Sequence, residues 1–569
     1  MDAGVDLACD CASQIAAAFA AYNAEFRAVT RRAPQRFEDR DWQNSQKDAV
    51  ERIDLYDRFV DQTIAALRPR LGELVHDRTL WMAIRQQFAA QIEGLADNEF
   101  TKTFFSSITR RLFGTVGVAP EIEFVATELD PLANLNTEVD TRSYANRGSL
   151  RLLVEDLLGD LRFRSPWRDF DSSVAHVSLD IEAHLGSHHE RRAVEKIEVM
   201  RPIFYQFTRA YVVGRITGRN FVRPLVLALK NDPQGLVVDA VVLTEDDVSV
   251  VFGYTRSYFH VDLERVGEAV QFLSRLLPRK PISELFTVLG RAKQGKTERY
   301  RAIIKHLGKS EDLFVHAPGE RGLVMICFAL PSLDVVFKLI RDKFPYPKNI
   351  LREEVLAKYK FVFKHDRAGR LIDAQEFKRV RFPKARFAPE LLEELLSEAA
   401  TTVHVEADDL IFDHMYIERK MTPLNLFLRD ASPQAAERAA LDYGQSIRDL
   451  AYTNIFPGDV LLKNVGVTRH GRVIFYDYDE LCQVTDCRFR DLPQATNDED
   501  EMRGEAWFYV ADNDIFPETF INFLSFDEAQ KAVFLRVHGE ILTPDFWRQI
   551  QQRVKAGELL EVLPYQQQR

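Results

Sequence analysis

The chain has 569 residues, more than the roughly 250–300 that one hydrophobic core serves, so we expect two or more domains. Apolar residues make up 46% of it and charged residues 28%, which is typical of a globular protein. The net charge of -11 argues against nucleic acid as a partner, and no run reaches the roughly 18–20 apolar residues of a membrane span.

The N-terminal region contains an Ala-rich apolar run over residues 15–22 that has no basic leader. This pattern predicts an amphipathic helix rather than a signal peptide, and therefore a cytoplasmic protein without a membrane partner. The cysteines are few, unevenly spaced and without matched CxxC pairs, so we expect reduced thiols and no structural zinc. They are Cys9, Cys11, Cys327, Cys482 and Cys487.

Residues 1–165 are predicted to be helical, because apolar residues recur at intervals of three and four, as over 49–67 and 79–95. After Pro166 the pattern changes to short β-rich runs separated by turn residues, among them the acidic cluster 245–247. We expect an antiparallel meander attached to helices. The predicted strands cover residues 224–230, 236–243, 248–254 and 257–261.

A polar, basic stretch over residues 291–301 precedes the predicted domain boundary. We divide the chain into an N-terminal domain, 1–309, and a C-terminal domain, 310–569. The N-terminal domain is expected to be helical over 1–165 and α+β over 166–300, so the predicted fold class is α+β.

The first chemical motif of the C-terminal domain is a turn with two glycines, followed by an apolar run. Such a turn lets backbone N–H groups approach phosphates closely, although an ordinary hairpin turn has the same composition. Its residues are Ala317, Pro318, Gly319, Glu320, Arg321, Gly322 and Leu323.

Lys338 lies in an apolar strand predicted over residues 335–340. An ammonium buried there needs an anionic partner such as a nucleotide phosphate, whereas a lysine on an edge strand would reach water instead. A helix is predicted next, over residues 352–366. The sequence offers three carboxylates as ionic partners of Lys338 and does not choose among them: Glu353, Glu354 and Glu376.

Residues 415–425 have the pattern of a short apolar strand, a polar connector and a helix. This pattern is typical of a hinge between two lobes, where backbone groups would hold the edge of an adenine. Together with the lysine strand before it, the segment favours a bilobal domain like that of protein kinases.

The strongest motif is the interval from Asp459 to Asn464, which follows a helix predicted over residues 435–451. It matches the protein-kinase catalytic loop, in which the Asp orients the attacking hydroxyl and the Asn holds a metal ion. A hairpin then brings Asp477 to the same cleft, where it can bind Mg²⁺. Asp479 is expected on the same face of a strand as Asp477, and two carboxylates so placed repel unless a cation lies beside them.

Taken together, these motifs closely resemble the bacterial isocitrate dehydrogenase kinase/phosphatases. The resemblance covers nearly the whole chain, and its C-terminal blocks are "APGERGLVM", "VFKLIRDKF", "HDRAGRLIDAQEF", "MYIERKMTPLN" and "NIFPGDVLLKNVGVTRHGRVIFYDYDE". In the N-terminal half the matching blocks are "RSYF" and "RFEDRDW". Pro-Gly before the catalytic Asp, and Tyr-Asp after the metal Asp, differ from ordinary protein kinases and agree with this family.

The resemblance implies roles for individual residues. The turn from Ala317 to Leu323 matches the ATP-phosphate loop, and Lys338 matches the ATP-binding lysine. Lys463 is expected beside the phosphates. The implied catalytic and metal-binding residues are Asp373 and Asp459 in the active site, Asn464 and Asp477 on the metal, and Asp479 in the phosphatase direction.

The resemblance also implies the activity. Family members phosphorylate a serine of isocitrate dehydrogenase with ATP and Mg²⁺ (Mn²⁺ would also serve), remove that phosphate and hydrolyse ATP. The reaction moves isocitrate between the tricarboxylic acid cycle and the glyoxylate bypass. AMP and ADP are expected as allosteric effectors, with the N-terminal domain as a regulatory domain. In the phosphatase direction, Asp479 or Asp477 is expected to place a water.

Two other function classes stay open on the residues alone: a kinase-like fold acting on a small molecule, and a nucleotide-binding scaffold without chemistry. A complete set of Lys338, Asp459, Asn464 and Asp477 argues against the scaffold. The sequence does not decide the oligomeric state, so a homodimer stays open. Residues 491–520, acidic and aromatic, are our candidate for contact with a protein substrate, and the acidic run 497–501 is interpreted as a solvated loop.

Overall fold

The structure is a computed structural model that describes residues 2–125, 132, 139–187, 194–253, 258–346, 348, 350–493 and 508–565. It divides into two compact units. Unit 1 comprises Met1–Glu311, Arg379–Arg381 and Leu563–Arg569, and unit 2 comprises Asp312–Lys378 and Phe382–Val562. Both units combine helices with sheets, so the predicted α+β class is confirmed. Of the helices described, none is long and apolar enough to cross a membrane.

Unit 1 starts with long helices and continues into a mixed region. Its helices are α1 (Asp2–Thr30), α2 (Ala33–Glu38), α3 (Trp42–Leu71), α4 (Arg78–Ile92), α5 (Asn98–Phe113), α6 (Leu150–Gly159), α7 (Phe170–Ser187), α8 (Glu245–Val251), α9 (Val266–Leu276), α10 (Ile282–Val288) and α11 (Ala292–Leu307), with a 3-10 helix at Gly72–His76. Its strands are β1 (Thr141–Ala145), β2 (Val194–Met200), β3 (Phe204–Gln206), β4 (Arg209–Gly218), β5 (Phe221–Asp232) and β6 (Gly235–Val242).

The apolar stripe of α1 forms the centre of the helical region. Phe19, Tyr22 and Phe26 recur every three or four residues and are buried, which places them on one face. The ring of Tyr22 meets the ring of Tyr56 on α3 edge-on, with centroids 5.4 Å apart. The amphipathic helix predicted over 15–22 is therefore confirmed, and the two other helices predicted in this region fall on α3 and α4.

The sheet of unit 1 is antiparallel, with the strand order β1-β2-β4-β5-β6 and β3 paired to β4. Alternate residues of β4 enter different cores, Tyr211 and Val213 on one side and Ala210 and Val212 on the other. Because both faces are covered, the strands are almost continuously apolar rather than alternating. The first two predicted strands are confirmed as β5 and β6.

The third predicted strand, over residues 248–254, is wrong, because α8 occupies Glu245–Val251. The side chain of Thr244 caps this helix by accepting the N–H of Asp247 at 3.0 Å. Acidic residues in the first turn favour a helix N-terminus, so the acidic cluster interpreted as a turn starts a helix instead. Residues 254–257 lie outside the described part of the chain.

Two further segments of unit 1 depart from the simple sequence pattern. Residues 258–261, the described part of the fourth predicted strand, contribute only a single bridge between Tyr205 and His260. The polar stretch 291–301 forms most of α11, in which Glu298 and Arg301 are buried and paired at 2.7 Å.

Unit 2 contains a sheet followed by a helical region. Its strands are β7 (Val315–His316), β8 (Met325–Ala329), β9 (Val335–Ile340), β10 (Gln375–Pro383), β11 (Val403–Glu406), β12 (Asp409–Arg419), β13 (Thr422–Pro423), β14 (Ile455–Phe456), β15 (Val465–Val467), β16 (Val473–Phe475), β17 (Cys482–Gln483), β18 (Arg488–Phe489) and β19 (Asp514–Ile515). Its helices are α12 (Arg352–His365), α13 (Pro389–Glu398), α14 (Leu424–Asp430), α15 (Pro433–Tyr452), α16 (Glu528–His538) and α17 (Pro544–Lys555), with 3-10 helices at Lys384–Arg386, Leu462–Asn464, Val484–Asp486, Pro517–Phe523 and Gly539–Leu542.

The main sheet of unit 2 has the order β10-β12-β9-β8-β7, with β11 paired to β12. A cluster of phenylalanines covers one of its faces. Phe314 stacks on Phe387 with ring centroids 4.4 Å apart, and Phe328 stacks on Phe337 at 5.2 Å. This aromatic core fixes the strands that carry the predicted lysine and its neighbours.

Arg370 attaches the segment between α12 and β10 to the helical region. Its guanidinium is 3% exposed and donates to Asp442 and Asp449, each at 2.7 Å, and to the carbonyl of Val473 at 3.0 Å. Burial by itself would raise the pKa of Asp442, but Arg370 outweighs it and holds that pKa below its ordinary value. A single buried cation therefore connects α15 with β16.

The strand expected to carry Asp477 and Asp479 stops before both of them, because β16 ends at Phe475. Asp477 and Asp479 lie in the loop after it and not on one face of a strand, so that expectation is wrong. The acidic run 497–501 and residues 494–507 of the candidate substrate segment lie outside the described residues.

Replacing Arg370 should destabilise unit 2. Arg370→Met would leave Asp442 and Asp449 buried without their cation, which should lower the free energy of unfolding by about 3–5 kcal/mol. Hydrogen exchange of the slowest amides of α15 measures this change. The pKa of Asp442 is depressed by folding, so the pair stabilises above the unfolded pKa of about 3.9 and loses its effect as the pH falls through the folded value. The difference between variant and wild type should therefore shrink in acid.

The matched control is Arg429→Met. Arg429 is exposed on α14 and pairs with its neighbour Asp430 at 2.9 Å. It should leave exchange in α15 unchanged. Equal effects of the two substitutions would contradict the role assigned to Arg370.

Candidate active site

One cavity of unit 2, of about 520 Å³, is lined by most of the residues that the sequence singles out. The turn between β7 and β8 forms one wall, β9 and β12 a second, and the segments after α15 a third. The predicted residues on the lining are Ala317, Pro318, Gly319, Glu320, Arg321, Gly322, Leu323, Lys338, Asp459, Lys463, Asn464, Asp477 and Asp479.

Lys338 is buried on β9 and has an ionic partner that the sequence did not indicate. Its Nζ lies 2.9 Å from the carboxylate of Glu418 and donates to the carbonyl of Tyr476 at 2.6 Å. Burial lowers the pKa of Lys338, but the charge of Glu418 outweighs this and raises it above the ordinary value. Lys338 therefore keeps its charge inside the cavity wall.

The three carboxylates predicted as partners of Lys338 are wrong. Glu353 is exposed on α12, Glu354 accepts the N–H of Leu351 at the start of the same helix, and Glu376 contacts His414 at 2.9 Å. The register of the sheet explains the true pairing. Tyr416 is the cross-strand partner of Lys338, and Glu418 lies two residues further along β12, on the same face.

Arg341 supports the glycine turn. The guanidinium of Arg341 donates from Nε to the carbonyl of Gly322 at 3.1 Å and from Nη2 to Glu394 at 2.6 Å. Glu394 also contacts His316, at 2.5 Å. Gly319 has φ of +116°, a conformation that favours glycine. These contacts give the turn a defined shape at the edge of the cavity.

Asp459 follows a glycine that the local packing requires. Gly458 has φ of +72°, and a Cβ there would lie 2.4 Å from Glu480. The carboxylate of Asp459 accepts the N–H of Leu461 at 3.1 Å and a hydrogen bond from the side chain of Asn464. Burial raises the pKa of Asp459 despite these bonds, and the charge of Asp477 adds to the effect.

Asp477 and Asp479 both line the cavity, on either side of buried Tyr478. The hydroxyl of Tyr478 donates to the carbonyl of Ile372, which fixes the loop between the two carboxylates. Burial and the nearby charge of Asp477 raise the pKa of Asp479 to about 7. The carboxylates of Asp477 and Asp479 therefore repel each other in the cavity.

The lysines near these carboxylates are already paired. Lys348 lies 2.6 Å from Glu480, and Lys463 lies 2.9 Å from Glu320 of the glycine turn. The hydroxyl of Tyr476 donates to the carbonyl of Lys463 and so supports the catalytic-loop segment.

Asp373 is the predicted catalytic residue that the structure does not bring to the cavity lining. It is 9% exposed and accepts a hydrogen bond from Gln375 at 3.2 Å. Its neighbour Ile372 accepts a hydrogen bond from Tyr478, so Asp373 lies next to the segment that carries Asp477 and Asp479.

Sequence reasoning missed Glu418, Lys348, Arg341 and Glu394, all of which line the cavity. Only Glu418 carried a usable signal, since a carboxylate in an apolar strand needs a cation just as Lys338 needs an anion. The others depend on folding of distant segments.

The oxygen donors of the cavity fit a hard divalent cation. Asp477 and Asp479 supply carboxylates and Asn464 an amide oxygen, which are the ligands that Mg²⁺ prefers. Among the residues with described positions, the cavity included, no group of three or more His, Cys, Asp or Glu is placed to hold a metal, so the cavity offers two carboxylates and an amide rather than a larger carboxylate cluster. All five cysteines are free thiols.

Comparison with known families covers almost the entire chain. Residues 12–311 match the isocitrate dehydrogenase kinase/phosphatase (AceK) regulatory domain, and residues 312–567 match the isocitrate dehydrogenase kinase/phosphatase (AceK) kinase domain.

Individual relatives agree along their full length. The chain is 46% identical to the isocitrate dehydrogenase kinase/phosphatase of Anaeromyxobacter sp. (strain Fw109-5), covering 99% of this chain and 98% of the relative. The chain is 47% identical to the protein of that name in Anaeromyxobacter dehalogenans (strain 2CP-C), and the match covers 99% of this chain and 97% of the relative. It is 46% identical to the one in Xanthomonas euvesicatoria pv. vesicatoria (strain 85-10), and that match covers 97% of this chain and 96% of the relative.

Glu418→Gln should weaken nucleotide binding in a pH-dependent way. Without the anion of Glu418, burial lowers the pKa of Lys338, so the ammonium should be lost at a lower pH than in the wild type. We expect affinity for an ATP analogue to fall about tenfold or more, the worth of a charge-assisted hydrogen bond, and its alkaline decline to move to lower pH. Titration of a fluorescent ATP analogue across pH measures both.

Glu376→Gln is the control for this experiment, because Glu376 was an equal candidate by sequence but contacts His414 and Lys378. Its binding curve should match the wild type. An unchanged pH profile in Glu418→Gln would show that Glu418 does not hold the charge of Lys338.

Proposed function

Because the chain belongs to the isocitrate dehydrogenase kinase/phosphatase family, we propose that it phosphorylates a serine of isocitrate dehydrogenase and removes that phosphate again. The observation that carries the proposal is the single cavity lined by Lys338, Asp459, Asn464 and Asp477. These are the groups that protein kinases use to position ATP, metal and hydroxyl.

In the kinase direction, the chain's own residues mainly position ATP and neutralise the charge of its phosphates. The glycine turn would direct backbone N–H groups to the phosphates of ATP, with Arg341 holding its Gly322 carbonyl. Lys338, which Glu418 keeps charged, would contact one phosphate. Lys463 would release Glu320 and contact another phosphate. Phosphoryl transfer requires little beyond such positioning and charge compensation.

Asp459 is proposed to orient the serine hydroxyl and accept its proton. Its carboxylate is oriented by the N–H of Leu461 and the side chain of Asn464. Its raised pKa makes it a better base than an exposed aspartate.

We assign the metal to Asn464 and Asp477, with Mg²⁺ as the preferred ion and Mn²⁺ as a substitute. When bound, the ion would neutralise phosphate charge and polarise the transferred group. A bound cation would also reduce the repulsion between the carboxylates of Asp477 and Asp479.

The phosphatase direction is proposed to use the same cavity. Asp479, or Asp477, would place the attacking water, since both carboxylates line the cavity. Asp373 is assigned a positioning role, since its neighbour Ile372 holds Tyr478, which separates the two carboxylates. ATP hydrolysis would follow when water replaces the serine.

Regulation and context follow from the family. We propose that AMP and ADP act as allosteric effectors through the N-terminal region, and that the enzyme works in the cytoplasm. Control of isocitrate dehydrogenase would divide isocitrate between the tricarboxylic acid cycle and the glyoxylate bypass.

Asp459→Asn should reduce phosphate incorporation into isocitrate dehydrogenase by about 10²- to 10⁴-fold, the usual contribution of a positioned base. Radiolabelled ATP with Mg²⁺ and purified isocitrate dehydrogenase measures transfer, and chase with unlabelled nucleotide measures removal. Asp430→Asn, an exposed change on α14, should behave as wild type. Labelling of a small metabolite in place of isocitrate dehydrogenase would overturn the proposed substrate.

The shared site is tested by Lys338→Met. If one cavity serves both directions, this variant should lose phosphorylation together with nucleotide-dependent dephosphorylation. Asp479→Asn should impair phosphate removal more than phosphate transfer. Loss of kinase activity with dephosphorylation that no longer needs nucleotide would require a second site.

A further inference from the structure

Two of the five cysteines form a close pair just beyond the loop of the candidate active site. Cys482 begins β17, and Cys487 follows the 3-10 helix Val484–Asp486. Their sulfur atoms are 3.4 Å apart. Cys482 is partly exposed, whereas Cys487 is 8% exposed. None of the roles proposed above uses either thiol.

The backbone around the pair brings the sulfurs together without a strained segment. The N–H of Cys487 donates to the carbonyl of Val484, closing the turn, and its thiol contacts the carbonyl of Gln483 at 3.5 Å. Gln551 from α17 donates to the carbonyls of Val484 and Cys487, each at 2.7 Å. The two thiols are therefore held side by side rather than meeting by chance on a loose loop.

The two thiols differ in chemical character. The hydrogen bond between the two sulfurs lowers the pKa of Cys482, and the charge of Lys358 adds to this effect, although burial opposes both. The same contact raises the pKa of Cys487. Cys482, the residue with the larger exposed fraction, is thus suited to react first, and Cys487 to react second.

We propose that Cys482 and Cys487 are a peroxide-oxidisable pair that closes into a reversible intrachain disulfide and thereby lowers phosphoryl transfer. The Cys482 thiol loses its proton and the thiolate attacks a peroxide oxygen. The O–O bond breaks and the departing hydroxide takes up the proton released by the thiol, so a sulfenic acid and one water result. The Cys487 thiol then attacks the sulfur of the sulfenic acid, the S–O bond breaks, and a second water leaves. Two thiols and one H₂O₂ become one disulfide and two H₂O, and an added dithiol reverses the reaction.

The pair is mechanically connected to the proposed catalytic loop. In the β14–β17 ladder, Cys482 is the cross-strand partner of Phe456, which precedes Asp459 by three positions. Asn454 binds the same turn, donating to Gln483 at 3.1 Å and accepting the N–H of Thr485 at 3.0 Å. On the other side, Cys482 follows Asp479 by three positions.

Disulfide formation must shorten the sulfur–sulfur distance from 3.4 Å to about 2.05 Å. The turn is tied to α17 and to Asn454, so part of this movement passes into β14 and β17. Displacement of a reacting group by about 1 Å costs up to about 10²-fold in rate, so we expect oxidation to lower transfer by about tenfold or more.

The test uses the full chain treated with H₂O₂, then alkylated and digested with trypsin. Both cysteines fall in one peptide, residues 473–488, between Arg472 and Arg488. We expect this peptide to lose two hydrogens and to resist alkylation until a dithiol is added. Cys487→Ser should instead leave a sulfenic acid at Cys482 that dimedone captures, and Cys482→Ser should abolish both products. Cys9→Ser changes an exposed position on α1. It is the control and should retain the disulfide.

Phosphoryl transfer is measured on the same samples, and this half of the proposal depends on the proposed function. Wild type and Cys9→Ser should lose activity with H₂O₂ and regain it with dithiol, whereas Cys482→Ser, which forms neither the sulfenic acid nor the disulfide, should keep its transfer rate through both treatments. If peptide 473–488 stays alkylatable in the wild type, the proposal is overturned, and so it is if the disulfide forms without a loss of transfer. Absence of transfer in the reduced wild type would instead contradict the proposed function, while the peptide mass still decides whether the disulfide forms.

Discussion

The buried ammonium of Lys338 is the interaction on which the candidate site depends. It pairs with Glu418 inside the sheet and donates to the carbonyl of Tyr476, 138 positions away along the chain. Burying this charge is costly unless both partners are in place. The same contacts that keep Lys338 charged therefore also fix the start of the loop that carries Asp477, so the sheet and the acidic loop form one cavity.

Charge balance explains what the cavity should bind. Lys338, Lys348 and Lys463 are each paired with a glutamate, and Asp477 and Asp479 line the same cavity. Burial, together with the charge of Asp477, raises the pKa of Asp479 to about 7. A site with two neighbouring carboxylates and a glycine turn beside them favours a divalent cation together with phosphates. The positive charge of the cation and the negative charge of the phosphates compensate each other.

Much of the fold and of the site could be predicted from local patterns. Apolar spacing located α1, α3 and α4, and continuous apolar runs located β5 and β6. The interval between Asp459 and Asn464 is short, so it specifies the loop without knowledge of the rest of the molecule. The acidic cluster 245–247 misled, because residues that favour turns also favour the first turn of a helix, and here they begin α8. Only packing of the apolar residues that follow separates the two structures.

What the sequence by itself determined is the family, the α+β class and the cluster of motifs around Lys338, Asp459 and Asp477, since those depend on residue type and short spacing. Tertiary structure alone decided that Glu418 is the partner of Lys338, that Asp373 is not among the residues that line the cavity, and that two cysteines meet. Those contacts depend on strand register and on how separate segments pack, and a burial cost or a sulfur–sulfur distance has no counterpart in local sequence.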